Sequence, residues 1–126
     1  MVSAQVWTVE DHLREQPEEH VALYRRLESV IRSFGEVSLS VSKSTITFKG
    51  SRRGFAGGRP TRHGVEGYFD LTRPLTGDAR IRRVTPYQRN LHVHHYRLRE
   101  DADLDETFAG WLREAYDVGC GAHLRT

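Results

Sequence analysis

Two periodicities meet in this chain, and the switch between them constrains the fold more than any other feature. From Pro17 to Phe34 apolar residues recur at steps of three or four (Val21, Tyr24, Leu27, Val30, Ile31, Phe34), which predicts an amphipathic helix with one buried stripe. From Val37 the period becomes two. Val37, Leu39 and Val41 alternate with Ser38, Ser40 and Ser42, and Ile46 and Phe48 alternate with Thr45, Thr47 and Lys49. That pattern predicts two half-buried antiparallel strands joined by a tight turn at Lys43-Ser44.

Shorter signals fill in the rest. Thr8 is the expected N-cap of a short first helix, with Glu10 and Asp11 in its first turn and Trp7 just before it. Pro17 suits the first position of the long helix, and Gly35 its left-handed end. A third strand is expected around Gly54-Phe55-Ala56, followed by a loop at Gly57-Gly58-Arg59-Pro60. Residues 65–71 predict a fourth, with Phe69 and Leu71 inward and Glu66, Tyr68 and Asp70 outward. Arg80 to Val84 reads as a short edge strand. Residues 90–98 (NLHVHHYRL) read as the last, but Leu91 and Val93 fall on one face while Tyr96 and Leu98 fall on the other. Either a β-bulge near His94-His95 switches the faces or both faces are covered, and the reading favours the bulge. Asp103-x-x-Glu106 is a capping box for a final helix with Leu104, Phe108, Leu112 and Ala115 on its apolar side, and Gly119 is its expected stop.

The expectation is therefore an α+β domain: two N-terminal helices, a five- or six-stranded mainly antiparallel sheet in meander order, and a C-terminal helix packed on the same face. The 126 residues suit one domain, with 1–6 and 118–126 as loosely ordered ends. No apolar run approaches the ~20 residues that cross a bilayer, and MVSAQVWTVEDH has no secretory pattern, so no membrane association and a cytoplasmic location are expected. Cys120 is the single cysteine, which excludes an internal disulfide and a cysteine-based zinc site.

Charge is segregated along the chain. Residues 1–42 carry 4 basic and 7 acidic side chains, residues 43–99 carry 13 basic and 3 acidic, and residues 100–126 carry 2 basic and 7 acidic, so a net +2 hides a strand region at +10. Arginines outnumber lysines 17 to 2. GC-rich codon usage alone gives such a ratio, but arginine is also the better residue for bidentate phosphate contacts.

Several of these residues together resemble a known family. Trp7-Thr8 through the Leu23-Tyr24 helix, Ser42-Lys43-x-x-Ile46-x-Phe48, Phe55-Ala56, Arg80-Ile81, His95-x-Arg97-Leu98, and Leu104-Asp105 with Trp111-Leu112-x-Glu114-Ala115-Tyr116 resemble a bacterial family, domain-of-unknown-function family 5655. The resemblance spans about Trp7 to Tyr116. It implies a compact cytoplasmic α+β domain, and similar domains are joined to nuclease-like or other DNA-associated modules. Lys43 matches the family-type lysine before the second strand, and His95 or its neighbour His94 matches the histidine on the last strand.

Enzyme signatures are mostly missing. A restriction-type nuclease needs an acidic residue two positions before its lysine, where this chain has Val41 before Lys43 and Thr47 before Lys49. There is no G-x-S-x-G elbow and no phosphate-binding G-x-x-x-x-G-K. His92 and His94 share a strand face, as metal ligands do, but need a third ligand such as His63 or Asp70. Cys120 with His123 is a weak nucleophile pair. No catalytic residue, cofactor or metal is assigned on these grounds. The candidate contact residues for an anionic partner are Lys43, Lys49, Arg52, Arg53, Arg59, Arg82, His94, His95 and Arg97, with Phe55, Tyr68, Tyr87 and Tyr96 as rings for stacking. The expected function is a non-enzymatic binding module for nucleic acid, another polyanion or a phosphorylated ligand. The alternatives are a protein–protein or self-association module, such as a homodimer with the sheet against an acidic surface, and a hydrolase built on the histidine-rich strand. The hydroxyls of Ser38, Ser40, Ser42, Thr45 and Thr47 either keep an open sheet soluble or line a shallow cup.

Overall fold

The computed structural model describes residues 6–124. Helices α1 (Val9–Leu13) and α2 (Glu18–Arg32) lead into strands β1 (Ser38–Val41), β2 (Ile46–Lys49), β3 (Gly54–Thr61), β4 (Gly64–Leu71), β5 (Ile81–Gln88) and β6 (Leu91–Leu98). Helix α3 (Glu106–Gly119) follows, flanked by 3-10 turns at Asp101–Asp103 and Ala122–Leu124. The expectation of loosely ordered ends falls in part on residues 1–5 and 125–126, outside the described residues.

Thr8 caps α1 as expected: its hydroxyl accepts from the Asp11 amide at 3.2 Å, and the Asp11 carboxylate accepts from the Thr8 amide at 3.0 Å. Pro17 takes the cap position of α2, one residue before the helix begins. Leu23, Tyr24, Leu27 and Ile31 of α2 meet Phe108, Leu112 and Ala115 of α3 over Ile46, Phe48, Phe69, Tyr96 and Leu98 of the sheet. Fully burying each large side chain contributes roughly 1.5–3 kcal/mol. All three helices feed this one core, so among the described residues the opposite face of the sheet has no helix.

The sheet has six strands in the order β1-β2-β3-β4-β6-β5, every pair antiparallel. This is the expected α+β architecture with one departure from a meander. β6 inserts beside β4 and pushes β5 to the edge.

Four local expectations are corrected. Gly57-Gly58-Arg59-Pro60 is the middle of β3. Glycines are required there because a Cβ on Gly57 would lie 2.6 Å from the Tyr68 ring, and one on Gly58 would lie 2.6 Å from the Tyr96 hydroxyl. Pro60 is tolerated because β2 begins opposite Gly58, so among the described residues no strand pairs with Pro60 on that side. Second, β6 has no bulge. Its register with β4 is continuous from Leu71↔His92 to Val65↔Leu98, which turns His94, Tyr96 and Leu98 inward and Val93 outward. The irregularities lie in β5, which is also longer than expected, and between β2 and β3. Third, the cap of α3 is Asp105, whose carboxylate accepts from the Phe108 amide at 2.9 Å, while Asp103 accepts from the amides of Arg99 and Glu100. Fourth, α2 ends at a Ser33 cap, two residues before Gly35, whereas α3 does stop at Gly119, with Cys120 as its cap. Gly35 has φ +156, and the Tyr116 phenol occupies the place of its missing Cβ.

Candidate functional site

Alternation on the paired strands sorts the uncovered face into rows. The central row crosses the whole sheet: Ser40, Thr47, Gly57, Tyr68, His95 and Arg83 are successive partners from β1 to β5. One row to one side stand Arg59, Glu66 and Arg97; to the other stand Asp70, Val93 and Thr85. Because Gly57 carries no side chain, Tyr68 leans over β3 and divides the face into two concavities.

The first concavity, about 370 Å³, is lined by Ser44, Thr45, Arg59, Glu66, Gly67, Tyr68, Arg82, His95, Tyr96 and Arg97. Glu66 accepts from the Thr61 hydroxyl at 2.8 Å and from Arg97 at 3.3 Å. Burial alone would raise its carboxyl, but these two hydrogen bonds and the Arg97 charge hold it below the usual range. Arg83 Nη2 lies 3.3 Å from His95 Nε2, and burial followed by the Arg83 charge lowers the His95 pKa. His95 is thus favoured in its neutral form, able to accept from the guanidinium. Among the described residues neither Arg59 nor Arg82 has a carboxylate within ion-pair distance.

The second concavity, about 400 Å³, is lined by Arg53, Gly54, Tyr68, Asp70, Tyr87 and Val93. It owes its existence to the irregularity between β2 and β3. Phe48 pairs with Ala56 and Lys49 with Gly54, so Phe55 is the extra residue of a bulge. Instead of standing over Asp70, the Phe55 ring turns into the core and packs edge-on to Tyr116 at 5.5 Å. Asp70 is left 3% exposed, with Oδ2 accepting from Arg53 Nη2 at 2.9 Å and Oδ1 without a partner among the described residues. Burial outweighs the Arg53 charge and pushes this carboxyl up to about 6.

The remaining candidates are dispersed. Lys43 is exposed in the β1–β2 turn, and Arg52 is exposed in the β2–β3 turn. Lys49 borders a separate cavity of about 450 Å³ with Glu36, Ser51, Tyr116 and Cys120. The Cys120 pKa is lowered: burial opposes this, but hydrogen bonds from Ser51 and Tyr116 prevail. His123 lies elsewhere, beside Gln88, Arg89 and Asn90, so the chain does not bring it to the thiol.

His94 is fully buried on the helix side, stacked on Phe69 at 5.1 Å. Its Nε2 accepts from the Leu75 amide at 3.0 Å, and its Nδ1 donates to the His92 carbonyl at 3.0 Å. Both ring nitrogens are occupied, which leaves neither for a metal or a general base. Among the described residues no three His, Cys, Asp or Glu side chains converge as a metal site would require. Of the four expected rings, Tyr68 and Tyr87 border the open face, whereas Phe55 and Tyr96 are in the core. The Arg53–Asp70 pair went unforeseen; its one local signal was an acidic residue at an outward position of a strand.

Arginine count also overstates what is available. Arg80 donates to both oxygens of Asp78, to Asp105 and to the Asp103 carbonyl, and lies over the rings of Trp111 and Phe108. Arg73 pairs with Glu114 through both of its carboxylate oxygens. These two tie helix α3 to the connection between β4 and β5.

No helix among the described residues is long and apolar enough to cross a membrane. No curated protein and no solved structure matches the chain. One family model does, over residues 9–119, which include every strand and all of helices α1, α2 and α3. The chain therefore belongs to the family described as Domain of unknown function (DUF5655).

Proposed function

We propose that this domain is a binding module that takes a phosphate-bearing ligand on the open face of its sheet, in the concavity between Arg59, Arg82 and Arg97. The observation that carries this reading is the pair Arg59 and Arg82, which border one concavity without a carboxylate partner among the described residues. Guanidinium groups on strands are held firmly by the ladder beneath them, and their planar forks suit phosphate oxygens. Tyr68 supplies a ring beside them, as stacking surfaces for nucleic acids do. The reading includes a cytoplasmic setting, in which Cys120 stays reduced.

The test is titration with pyrophosphate and with a labelled single-stranded oligonucleotide at about 50 and 200 mM salt. Binding should weaken with salt, and Arg59→Ala with Arg82→Ala should weaken it at least tenfold with an unchanged melting temperature. No binding at the lower salt, or equal binding by the double variant, removes the reading.

The segregation of charge favours a second reading, in which the uncovered sheet meets the acidic helices of another copy. Light scattering decides it: a monomer at both low and high salt excludes a self-complementary dimer.

A further inference from the structure

The second concavity carries a feature that phosphate binding does not use. Asp70 is 3% exposed, and among the described residues its Oδ1 has neither a protein donor nor solvent access. Buried carboxylate oxygens are ordinarily hydrogen-bonded, because leaving one unpaired forfeits its hydration without compensation. The surroundings define what would satisfy it. Tyr68 forms one wall and is shared with the arginine-lined concavity. Tyr87 forms another on the edge strand; at 63% exposure it has room to turn aside, and Arg53 lies over its ring at 5.8 Å. Gly54 and the inward turn of Phe55 place no β3 side chain over Asp70, so a ligand reaches Oδ1 once the Tyr87 ring turns aside. The site thus offers two aromatic walls and one buried acceptor, the complement of a flat ring bearing an N–H group.

We propose that this concavity holds the base of a nucleotide whose phosphate lies among Arg59, Arg82 and Arg97, with the base against Tyr68 and an N–H donated to Asp70 Oδ1. The inference rests on the phosphate reading above and names its ligand class. Glu66 and Asp70, which mark the two concavities on β4, are four residues apart, roughly 13 Å along an extended strand. One ligand laid along β4 past Tyr68 therefore meets both. Base discrimination arises because a ring without an N–H leaves the acceptor unpaired, which buried polar sites reject strongly.

The test is calorimetry of the whole chain with pyrophosphate, AMP, CMP, GMP and purine riboside 5′-monophosphate, whose base carries no N–H. AMP should bind at least tenfold more tightly than purine riboside monophosphate. Asp70→Leu should bring that ratio near one while leaving pyrophosphate affinity unchanged. Should Asp70→Leu fail to fold, Tyr87→Ala, which removes a wall of the second concavity only, serves instead, and must weaken AMP but not pyrophosphate. Equal binding of AMP and purine riboside monophosphate overturns the inference, as does a preference that survives Asp70→Leu. If pyrophosphate binds and no nucleotide binds more tightly, this inference alone fails; if nothing binds, the phosphate reading fails with it. A short oligonucleotide that binds more tightly than any mononucleotide assigns the site to single-stranded nucleic acid, and the reverse order assigns it to a free nucleotide.

Discussion

Gly57 and Tyr68 face each other directly across β3 and β4, and the tyrosine ring occupies the space that a side chain on Gly57 would fill, 2.6 Å from the position of its Cβ. This contact lays Tyr68 across the sheet and creates a wall common to both concavities. Gly57→Ala should therefore displace the ring. The expected cost is about 1–3 kcal/mol of stability, as for other overpacked sites, seen in denaturant unfolding. A changed near-ultraviolet tyrosine signal should accompany it. An alanine variant as stable as the parent, with the same signal, would show that Tyr68 is not held by this contact.

Arg80 is a structural arginine. It is 16% exposed in its side chain, bonded to Asp78 and Asp105, and stacked over Trp111 at 5.1 Å. Removing it takes the cation from two partly exposed carboxylates and the stack from Trp111, and Arg80→Ala should cost about 1–2 kcal/mol. Arg80→Lys should recover less than half, because an ammonium matches neither the paired oxygens nor the stack. Thermal unfolding of both variants checks this.

Asp70 should make stability depend on pH in the direction opposite to most carboxylates. Arg53, Tyr68 and Tyr87 are the charged and titratable groups that border its concavity. Its folded-state pKa, raised to about 6, lies above the unfolded value near 3.8. Between roughly pH 4 and 6 the folded chain retains a proton that the unfolded chain has released, so this group's contribution falls as pH rises through that window. A shift of about two units corresponds to on the order of 2–3 kcal/mol. The stability of Asp70→Asn relative to the parent should accordingly be higher at pH 8 than at pH 4. A difference independent of pH would refute the assignment.

His94 works the other way. Burial lowers its pKa below 6.5, so the folded chain keeps it neutral while the unfolded chain takes up a proton below that value. Its contribution is present above pH 6.5 and is lost as pH falls through 6.5 toward the folded pKa. His94→Gln should cost about 1–3 kcal/mol at pH 8 through the lost bonds to Leu75 and His92. That cost should shrink at pH 5.5, and a penalty equal at the two pH values would count against a buried neutral imidazole.

Gly119 and Phe55 provide a test of the bulge itself. A Cβ on Gly119 would come within 2.5 Å of the Phe55 ring, while the Gly119 carbonyl accepts from the amides of Arg52 and Arg53. Gly119→Ala should push Phe55 out of the core and cost about 1–3 kcal/mol. Because the bulge keeps the Phe55 ring away from Asp70, tyrosine signals from Tyr68 or Tyr87 should change as well, whereas Gly110→Ala, with open space at its Cβ, should alter neither stability nor spectrum adversely.

Local pattern was enough to determine the helices, most strands and the direction of their side chains. The stripe through Leu27 and Ile31 and the alternation through Leu39, Ile46 and Phe69 each report burial within a few residues, and burial is what holds those elements. The outward position of Glu66, Tyr68 and Asp70 followed from the same alternation, so one wall of each concavity was legible. Tertiary structure decided the rest, because it depends on partners far apart in the chain. Nothing near Gly57-Gly58 says that Tyr68 and Tyr96 will occupy the space beside them, so a strand read as a loop. Strand order was hidden for the same reason: β6 pairs with β4 across the intervening β5. The arginines were visible as a group, but their availability was not. Arg53 pairs with an aspartate 17 positions away and Arg73 with a glutamate 41 away, whereas Arg59 and Arg82 meet at one concavity only because β3, β4, β6 and β5 lie side by side. Hydrophobic period is a property of one segment; pairing of strands and charges is a property of the packed chain.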